Sequence, residues 1–244
     1  MRAAFVAAAC AALLLPAAVA AQASVTAGGE ILSEERRRGL SWSAGRAAAA
    51  ADVSADAAGL RASARVAATR GSPRHGGGDG VADLDLSARR RLGPMDVELR
   101  ARAHLFAGAR GRQDYVETGA AAFYTLGPLT LDAGIDFAPS QAAIGGSNLY
   151  LSAGAAAGVP GTPFTLVAGA GRSSGDVDDP VRAARLRPAG RYHDWRLGVE
   201  HVRGRLTLSV DYVGTDVDRD AALSPFADAR HSGDTLVARA RMRF

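Results

Sequence analysis

Strict alternation of apolar and charged side chains is the feature that most constrains the fold of this chain. In residues 95–105, apolar side chains that begin with Met95 alternate with charged ones that begin with Asp96. The last ten residues, 235–244, repeat the pattern and end in Phe244. Successive side chains of a β-strand point to opposite faces, whereas a helix would spread both sets around its circumference. Both segments are therefore predicted to be strands with one apolar and one charged face.

Similar alternation, weaker in places, predicts about twelve strands along the chain. Alanines favour helix in the stretch 44–70 on intrinsic propensity. Because Gly59 interrupts that stretch, and Arg61 and Arg65 keep a period of two after it, strands are preferred there. The predicted strands are 24–33, 45–56, 60–70, 81–92, 95–105, 115–126, 129–138, 147–157, 164–172, 194–202, 205–214 and 235–244.

Short and long connections alternate between these strands. An up-and-down barrel of the bacterial outer membrane has this asymmetry, with short periplasmic turns and long extracellular loops. After the N-terminus, no apolar run reaches the roughly 18 residues that a membrane helix needs. Residues 24–244 are therefore predicted to be an all-β, transmembrane up-and-down antiparallel β-barrel in the outer membrane of a Gram-negative bacterium. The short connections are Ala58-Gly59, Gly93-Pro94, Gly127-Pro128, 158–163 and Arg203-Gly204, and the long ones are 34–44, 71–80, 107–114, 139–146, 173–193 and 215–233.

Residues 1–23 are predicted to be a signal peptide that is cleaved on export. They have a positive start, an apolar stretch and a small-residue cleavage site at Ala21-Gln22-Ala23, with cleavage after Ala20 as the alternative. The single cysteine, Cys10, lies inside this segment, so the exported chain is expected to contain no disulfide. The net charge of +4 is modest and, together with export, argues against nucleic acid as a partner.

The short turns also predict which residues face each other across neighbouring strands. A two-residue turn at Gly93-Pro94 places Leu92 opposite Met95. Cross-strand pairs are each worth roughly 0.2–1 kcal/mol, so their main effect is to specify register. The pairs predicted from this turn are Arg91 with Asp96, Arg89 with Glu98, Asp85 with Arg102 and Asp83 with His104. The same arithmetic at Arg203-Gly204 pairs Arg196 with Asp211 and Trp195 with Tyr212.

The charged face is predicted to point into the lumen, because a basic residue that faces lipid at mid-membrane costs roughly 2–4 kcal/mol. Arg239, Arg241 and Arg243 form a row of one sign that would favour anions in an open pore. Alternatively, the arginines pair with the acidic residues and fill the lumen, and the sequence leaves both interpretations open. The predicted lumen residues are Arg61, Arg65, Asp83, Asp85, Arg89, Asp96, Glu98, Arg100, Arg102, His104, Asp132, Asp136, Arg196, Asp211, Arg239, Arg241 and Arg243.

Aromatic residues gather near the ends of the predicted strands. Amphipathic rings prefer the two membrane interfaces, so these residues are predicted to form two girdles around the barrel. A soluble β-sandwich would more often place its large aromatics in the middle of strands. The predicted interface aromatics are Phe106, Tyr115, Tyr124, Phe137, Tyr150, Phe164, Trp195, Tyr212 and Phe244.

Three parts of the chain resemble sequence patterns of one known family. They are Glu35-Arg36-Arg37-Arg38-Gly39-Leu40-Ser41, the pair of segments Tyr115-Val116-Glu117 and Phe137-Ala138-Pro139, and residues 196–216. They are similar to the first-loop pattern, the central region and the closing hairpin of the TorF-like family of outer-membrane porins, also known as the Gcw type, with Glu35 where the family has an aromatic. The resemblance implies an outer-membrane barrel with a pore.

We expect a passive, porin-like barrel that admits small hydrophilic solutes. The alternative is a closed barrel that acts as a structural or surface-interaction protein through its loops 173–193 and 215–233. A lipid-modifying enzyme is the third candidate, but no nucleophile can be named beside the histidines, so no catalytic residue, metal or cofactor is expected. The expected partners are outer-membrane lipids, small hydrophilic solutes and the barrel assembly machinery, which would recognise the C-terminal strand ending in Phe244.

Overall fold

A closed antiparallel barrel of twelve strands forms the body of the protein, in a computed structural model that describes residues 23–220, 222 and 224–244. The predicted signal peptide therefore lies outside the described residues, apart from Ala23. Two further short strands form a separate hairpin. The strands are β1 (Ser24–Leu32), β2 (Arg36–Arg37), β3 (Leu40–Ser41), β4 (Ala48–Ala57), β5 (Leu60–Ser72), β6 (Gly78–Leu92), β7 (Met95–Ala107), β8 (Tyr115–Leu126), β9 (Leu129–Gln141), β10 (Gly146–Gly158), β11 (Phe164–Ser174), β12 (Tyr192–Arg203), β13 (Leu206–Thr215) and β14 (Thr235–Arg243).

Each barrel strand pairs with its neighbours in the chain, and β14 closes the barrel against β1. All twelve predicted strands are confirmed, with ends that differ by a few residues. The alanine-rich stretch is a strand, since β4 pairs with β5 along its length and places Asp52 opposite Arg65. The one α-helix among the described residues is the four-residue Pro180–Ala183, and no helix in that part of the chain is long and apolar enough to cross a membrane.

The predicted register of β6 and β7 is confirmed. Leu92 lies opposite Met95 across the turn, and every predicted pair of opposite charge follows from it. The register fixes the face of every side chain, because a slip of one residue would turn the charged set towards lipid. The confirmed pairs are Arg91 with Asp96, Arg89 with Glu98, Asp85 with Arg102 and Asp83 with His104.

The predicted register of β12 and β13 is wrong by two residues. Arg203 itself pairs with Leu206, so the turn consists of Gly204 and Arg205, with Gly204 at φ 60°. This register places Trp195 opposite Gly214, and Arg196 opposite Val213. A shift of two residues leaves every side chain on its predicted face. For that reason Arg196 still reaches Asp211, with 2.8 Å between Nε and Oδ1.

The outer face of the barrel is apolar. Leu99, Leu197 and Leu236 are each more than half exposed, and many other large apolar side chains share this outward position. A soluble monomer rarely exposes a continuous apolar surface of this size. The outer wall is therefore suited to contact with lipid hydrocarbon.

Buried side chains lie inside the barrel, under the long loops. One apolar cluster surrounds Trp42, and a second surrounds Ile144. The opposite end, which carries the short turns, is more exposed, as shown by the inward-facing Arg91 and Arg243. The long-loop end is therefore the end at which the lumen is filled.

Candidate functional site

The first long loop, residues 33–47, enters the barrel. Its strands β2 and β3 pair to form a hairpin, Arg36–Ser41, here called the arginine hairpin. Arg38 and Gly39 reverse the chain with φ values of 50° and 72°. A Cβ at Gly39 would lie 2.8 Å from the Cβ of Asp194 on the barrel wall, so glycine is required by both conformation and space. The hairpin thus rests directly against the inside of the barrel.

Arg37 of the hairpin binds acidic groups of two different segments. Its Nη2 lies 2.7 Å from Oδ2 of Asp83 on β6, and its Nε lies 2.9 Å from Oε1 of Glu35. The guanidinium carbon also lies 4.1 Å from the centre of the Trp42 ring, which is a cation–π geometry. Arg37 therefore links the hairpin to the β6 wall.

Arg38 binds the neighbouring part of the wall. Its Nη2 donates to both carboxylate oxygens of Glu117 at 2.9 Å and lies 3.4 Å from Oδ2 of Asp136. Its guanidinium carbon lies 4.5 Å from the centre of the Tyr150 ring, and its carbonyl oxygen accepts from the Tyr192 hydroxyl. Arg38 thus connects the hairpin to β8, β9, β10 and β12.

Arg36 ties the hairpin to the last long loop. Its side chain pairs with Glu34 at 2.9 Å and donates to the carbonyl oxygens of Gly39, His231 and Gly233. All three consecutive arginines therefore have partners, and each has a different set. Three consecutive charges that would be solvated in an ordinary loop are here bound by the barrel wall and by the last long loop.

Further ion pairs of the barrel wall surround the hairpin. They join lumen-facing side chains of barrel strands that are adjacent or one strand apart, and Arg65 also binds Glu35 of the first long loop. Arg65 binds Glu30 at 2.6 Å and Glu35 at 2.8 Å, Arg100 binds Asp136 at 2.7 Å, Arg102 binds Asp85 at 2.5 Å, and His104 Nδ1 lies 2.7 Å from Asp83.

The predicted row of arginines on β14 is largely paired. Arg241 lies 2.7 Å from Asp52 and 3.6 Å from Glu30, and Arg239 lies 3.8 Å from Glu30. Arg243 is exposed at the short-turn end. Two of the three side chains are therefore not free cations that face an open lumen.

Among the described residues, three cavities that are lined partly by charged side chains meet inside the barrel at the arginine hairpin. Their volumes are about 310, 200 and 340 Å³. Arg36 and Arg38 line the first, Arg37 and Arg38 the second, and Arg36 and Arg37 the third. The hairpin thus divides the polar space of the lumen.

A fully buried arginine, Arg74 of the second long loop, joins several loops over this space. It donates to the carbonyl oxygens of Ser41 at 2.9 Å, Arg185 at 2.7 Å and Asp228 at 3.3 Å. These oxygens belong to the first, fifth and sixth long loops. Burial lowers the pKa of Arg74 to about 10, so its charge is kept at neutral pH.

Arg185 of the fifth long loop completes the connection. It donates to the carbonyl oxygens of Gln113 at 2.6 Å and Ala143 at 3.2 Å, in the third and fourth long loops, and lies 3.3 Å from Nδ1 of His75. Burial lowers the pKa of Arg185 to about 10 as well. Arg74 and Arg185 together link all six long loops into one cap.

Three aromatics predicted at the membrane interface face the lumen instead. Phe106 stacks on His75, Tyr115 is buried and stacks on His104, and the Tyr150 ring lies under Arg38. The alternation of each strand decides these positions, since Phe106 is two residues from inward-facing His104. Of the other predicted interface aromatics, Tyr124, Phe137, Phe164, Tyr212 and Phe244 are exposed, and Trp195 is half-buried on the outward face.

The predicted lumen residues lie on the inward face, as the alternation requires. Those not yet described form ion pairs near the short-turn end or between β12 and β13. The Asp132 carboxylate lies against Gly154. Their role in lining a path for solutes stays a prediction. The remaining pairs are Arg61 with Asp56 at 2.6 Å, Arg89 with Asp96 at 3.6 Å, Arg100 with Glu98 at 3.8 Å and Arg196 with Asp211 at 2.8 Å.

Several residues of the site were not predicted from the sequence. Glu117 keeps the alternation of β8, and Glu30 that of β1, so the same pattern could have found both. Arg74 and Arg185 lie in loops, where no periodicity marks a buried side chain.

Comparison with known proteins places this barrel among bacterial outer-membrane folds. The KdgM porin has a TM-score of 0.56 at 7% identity, over 90% of this chain and 97% of that protein. The COG4313 outer membrane channel from Pseudomonas putida F1 has a TM-score of 0.52 at 11% identity, over 94% of this chain and 97% of that protein. A comparison with curated proteins found no match. At these identities the solved structures show the shared fold alone.

A family comparison gives the relationship. The family described as "Bacterial protein of unknown function (Gcw_chp)" matches residues 17–239, which is most of the chain. This agrees with the resemblance of the first-loop, central and closing segments to the Gcw type. The chain therefore belongs to the Gcw_chp family.

Proposed function

We propose that the protein is a porin-like barrel of the outer membrane through which small hydrophilic solutes diffuse passively, with the arginine hairpin as its constriction. The observation that carries this proposal is the meeting at the hairpin of three cavities that are lined partly by charged side chains. A barrel of this kind, apolar outside and polar inside, is suited to hydrated solutes. The long-loop end then faces the exterior and the short turns face the periplasm.

A preference for anions is the finer part of the proposal. The paired state of Arg239 and Arg241 weakens its original basis, but exposed arginines crowd the short-turn end. The inward-facing Arg91 and Arg243 and the turn residue Arg205 are exposed there. A ring of cationic side chains at a pore mouth raises the local anion concentration.

The second candidate is a closed barrel that acts through its surface loops. The cap supports it, because Arg74 and Arg185 hold all six long loops over the lumen. In this case the ion pairs would have a purely structural role.

Catalysis is not part of the proposal. His104 is the histidine with the most acidic surroundings, but it faces the lumen and lies between Asp83 and Glu117. A lipid-modifying enzyme would need such a group near the lipid surface. Altered lipid A or phospholipid upon overexpression of the protein would contradict this part.

Planar lipid bilayers test the porin proposal. The purified protein is expected to give discrete conductance steps. In a salt gradient, the sign of the reversal potential should show that anions pass more readily than cations. Arg205→Gln/Arg243→Gln should shift this potential towards zero, whereas Arg241→Gln should shift it less. Absence of steps at all voltages and salt concentrations would favour the closed barrel instead.

A further inference from the structure

Two apolar grooves lie side by side on the outer wall of the barrel. One has a volume of about 700 Å³ and crosses β4 to β7, and the other has about 690 Å³ and crosses β13, β14, β1 and β4. Ala49 and Ala68 line both, so the grooves adjoin. Volumes of roughly 300–1,000 Å³ are typical of small-molecule sites.

The grooves arise from a local change in the size of outward-facing side chains. Alanines form the floor, including Ala51 and Ala240, while larger side chains such as Ile31 and Leu105 form the sides. Elsewhere the outer wall carries larger exposed residues such as Leu197. The result is a concave apolar surface at the long-loop end.

Two exposed arginines lie at the rim of this surface. Arg70 lines the second groove, and a bulge in β5 between Ala68 and Ser72 brings it there. The Nη2 atom of Arg46 lies 3.9 Å from the position that a Cβ would take at neighbouring Gly71. Neither arginine has a carboxylate partner in the part of the chain that the structure describes. Guanidinium groups bind phosphate oxygens through parallel hydrogen bonds.

We propose that this surface binds an outer-leaflet glycolipid whose sugar head carries phosphate. The acyl chains lie in the two grooves, and Arg46 and Arg70 bind one phosphate at the rim. Charge selects this occupant, because two unpaired cations above an apolar groove match an anionic amphiphile and not a second apolar barrel wall. The proposal rests on the proposed function only for the orientation of the barrel, which places the long-loop end in the outer leaflet.

Native mass spectrometry of the detergent-purified protein tests the phosphate contact. Phosphorylated lipid A, its dephosphorylated form and phosphatidylethanolamine are titrated separately. The native chain should bind phosphorylated lipid A most strongly, and Arg46→Gln/Arg70→Gln should weaken that binding roughly tenfold or more. The matched control is Arg172→Gln, an exposed arginine on β11, which should leave binding unchanged.

Filling the grooves tests the acyl-chain contact without a change of charge. Ala49→Leu/Ala68→Leu should weaken binding severalfold, whereas Ala133→Leu, at an exposed position on β9, should not. A heat-dependent gel shift verifies that each variant folds. Conductance in bilayers should stay at the native level in each variant. The conductance therefore tests the pore proposal independently of lipid binding. Equal binding of the double-glutamine variant, equal binding of dephosphorylated lipid, or a dimer that covers the grooves would overturn the proposal.

Discussion

At the scale of single residues, closure of the long-loop end depends on Arg74 and Arg185. Each is buried, and each donates mainly to backbone carbonyl oxygens of other loops. A buried charge is expensive unless its hydrogen bonds are made, and an irregular loop leaves carbonyls without partners when it is buried. One buried guanidinium makes its own hydrogen bonds and at the same time supplies donors to several buried carbonyl oxygens.

Replacement of Arg74 by methionine should open the cap. The change removes a donor from the carbonyl oxygens of Ser41 and Arg185, at about 1–3 kcal/mol for each that is left buried without another. The Asp228 carbonyl oxygen still accepts from His231 N and Ser232 Oγ. The loops should become sensitive to proteinase K, while the barrel keeps its heat-dependent gel shift. Arg112→Met, at an exposed position of the third long loop, is the control. Equal protease resistance of the two variants would refute the role of Arg74.

Acid should loosen the cap through His75. Burial lowers the pKa of His75 well below its usual range, and Arg185 and Arg74 act in the same direction. Below about pH 6.5, a proton therefore binds to the opened cap in preference to the closed one. The closed cap therefore loses stability as the pH falls below about 6.5. Above that pH, His75 does not change the stability of the cap.

Hydrogen exchange measures this effect. Protection factors of the second and fifth long loops should fall between pH 7.5 and pH 5 in the native chain. His75→Gln keeps an acceptor towards Arg185 but cannot be protonated, so its protection should change less. An equal fall in both proteins would show that another group senses the acid.

At the scale of strands, the sequence predicts much of the fold because the barrel wall repeats one rule. Alternation determines which residues face lipid, and it also corrects the placement of Phe106 and Tyr150. Register is less secure, since it depends on which residues form a two-residue turn. At β12–β13, Gly204 takes the first turn position, and its positive φ could not be assigned from the pattern alone.

Two inward glycines of β11 test how closely the wall is packed. A Cβ at Gly171 would overlap the Tyr150 ring, whereas a Cβ at Gly169 would meet its nearest atom at an ordinary 3.5 Å. Gly171→Ala should lower the free energy of unfolding by about 1–3 kcal/mol. Gly169→Ala should change it little. Urea titration of the protein in lipid vesicles measures both, and equal effects would contradict the packing described for Tyr150.

At the scale of the whole molecule, the decisive feature is a loop that occupies the barrel it belongs to. The sequence marks Arg36–Arg38 as a charge run, and such a run in a loop is usually solvated. Its insertion depends on Asp83, Glu117 and Asp136 from three separate strands. No local pattern contains that information, so the hairpin and the cap could not be predicted.

Single-channel conductance of the native chain and of a variant with a shortened hairpin tests whether the arginine hairpin constricts the lumen. In the variant, two glycines replace residues 36–40, which removes all three arginines that separate the cavities. We expect small steps for the native protein and steps at least about twofold larger for the variant, because conduction follows the open cross-section of the lumen. Equal conductance in the two proteins, or none in either, would contradict it.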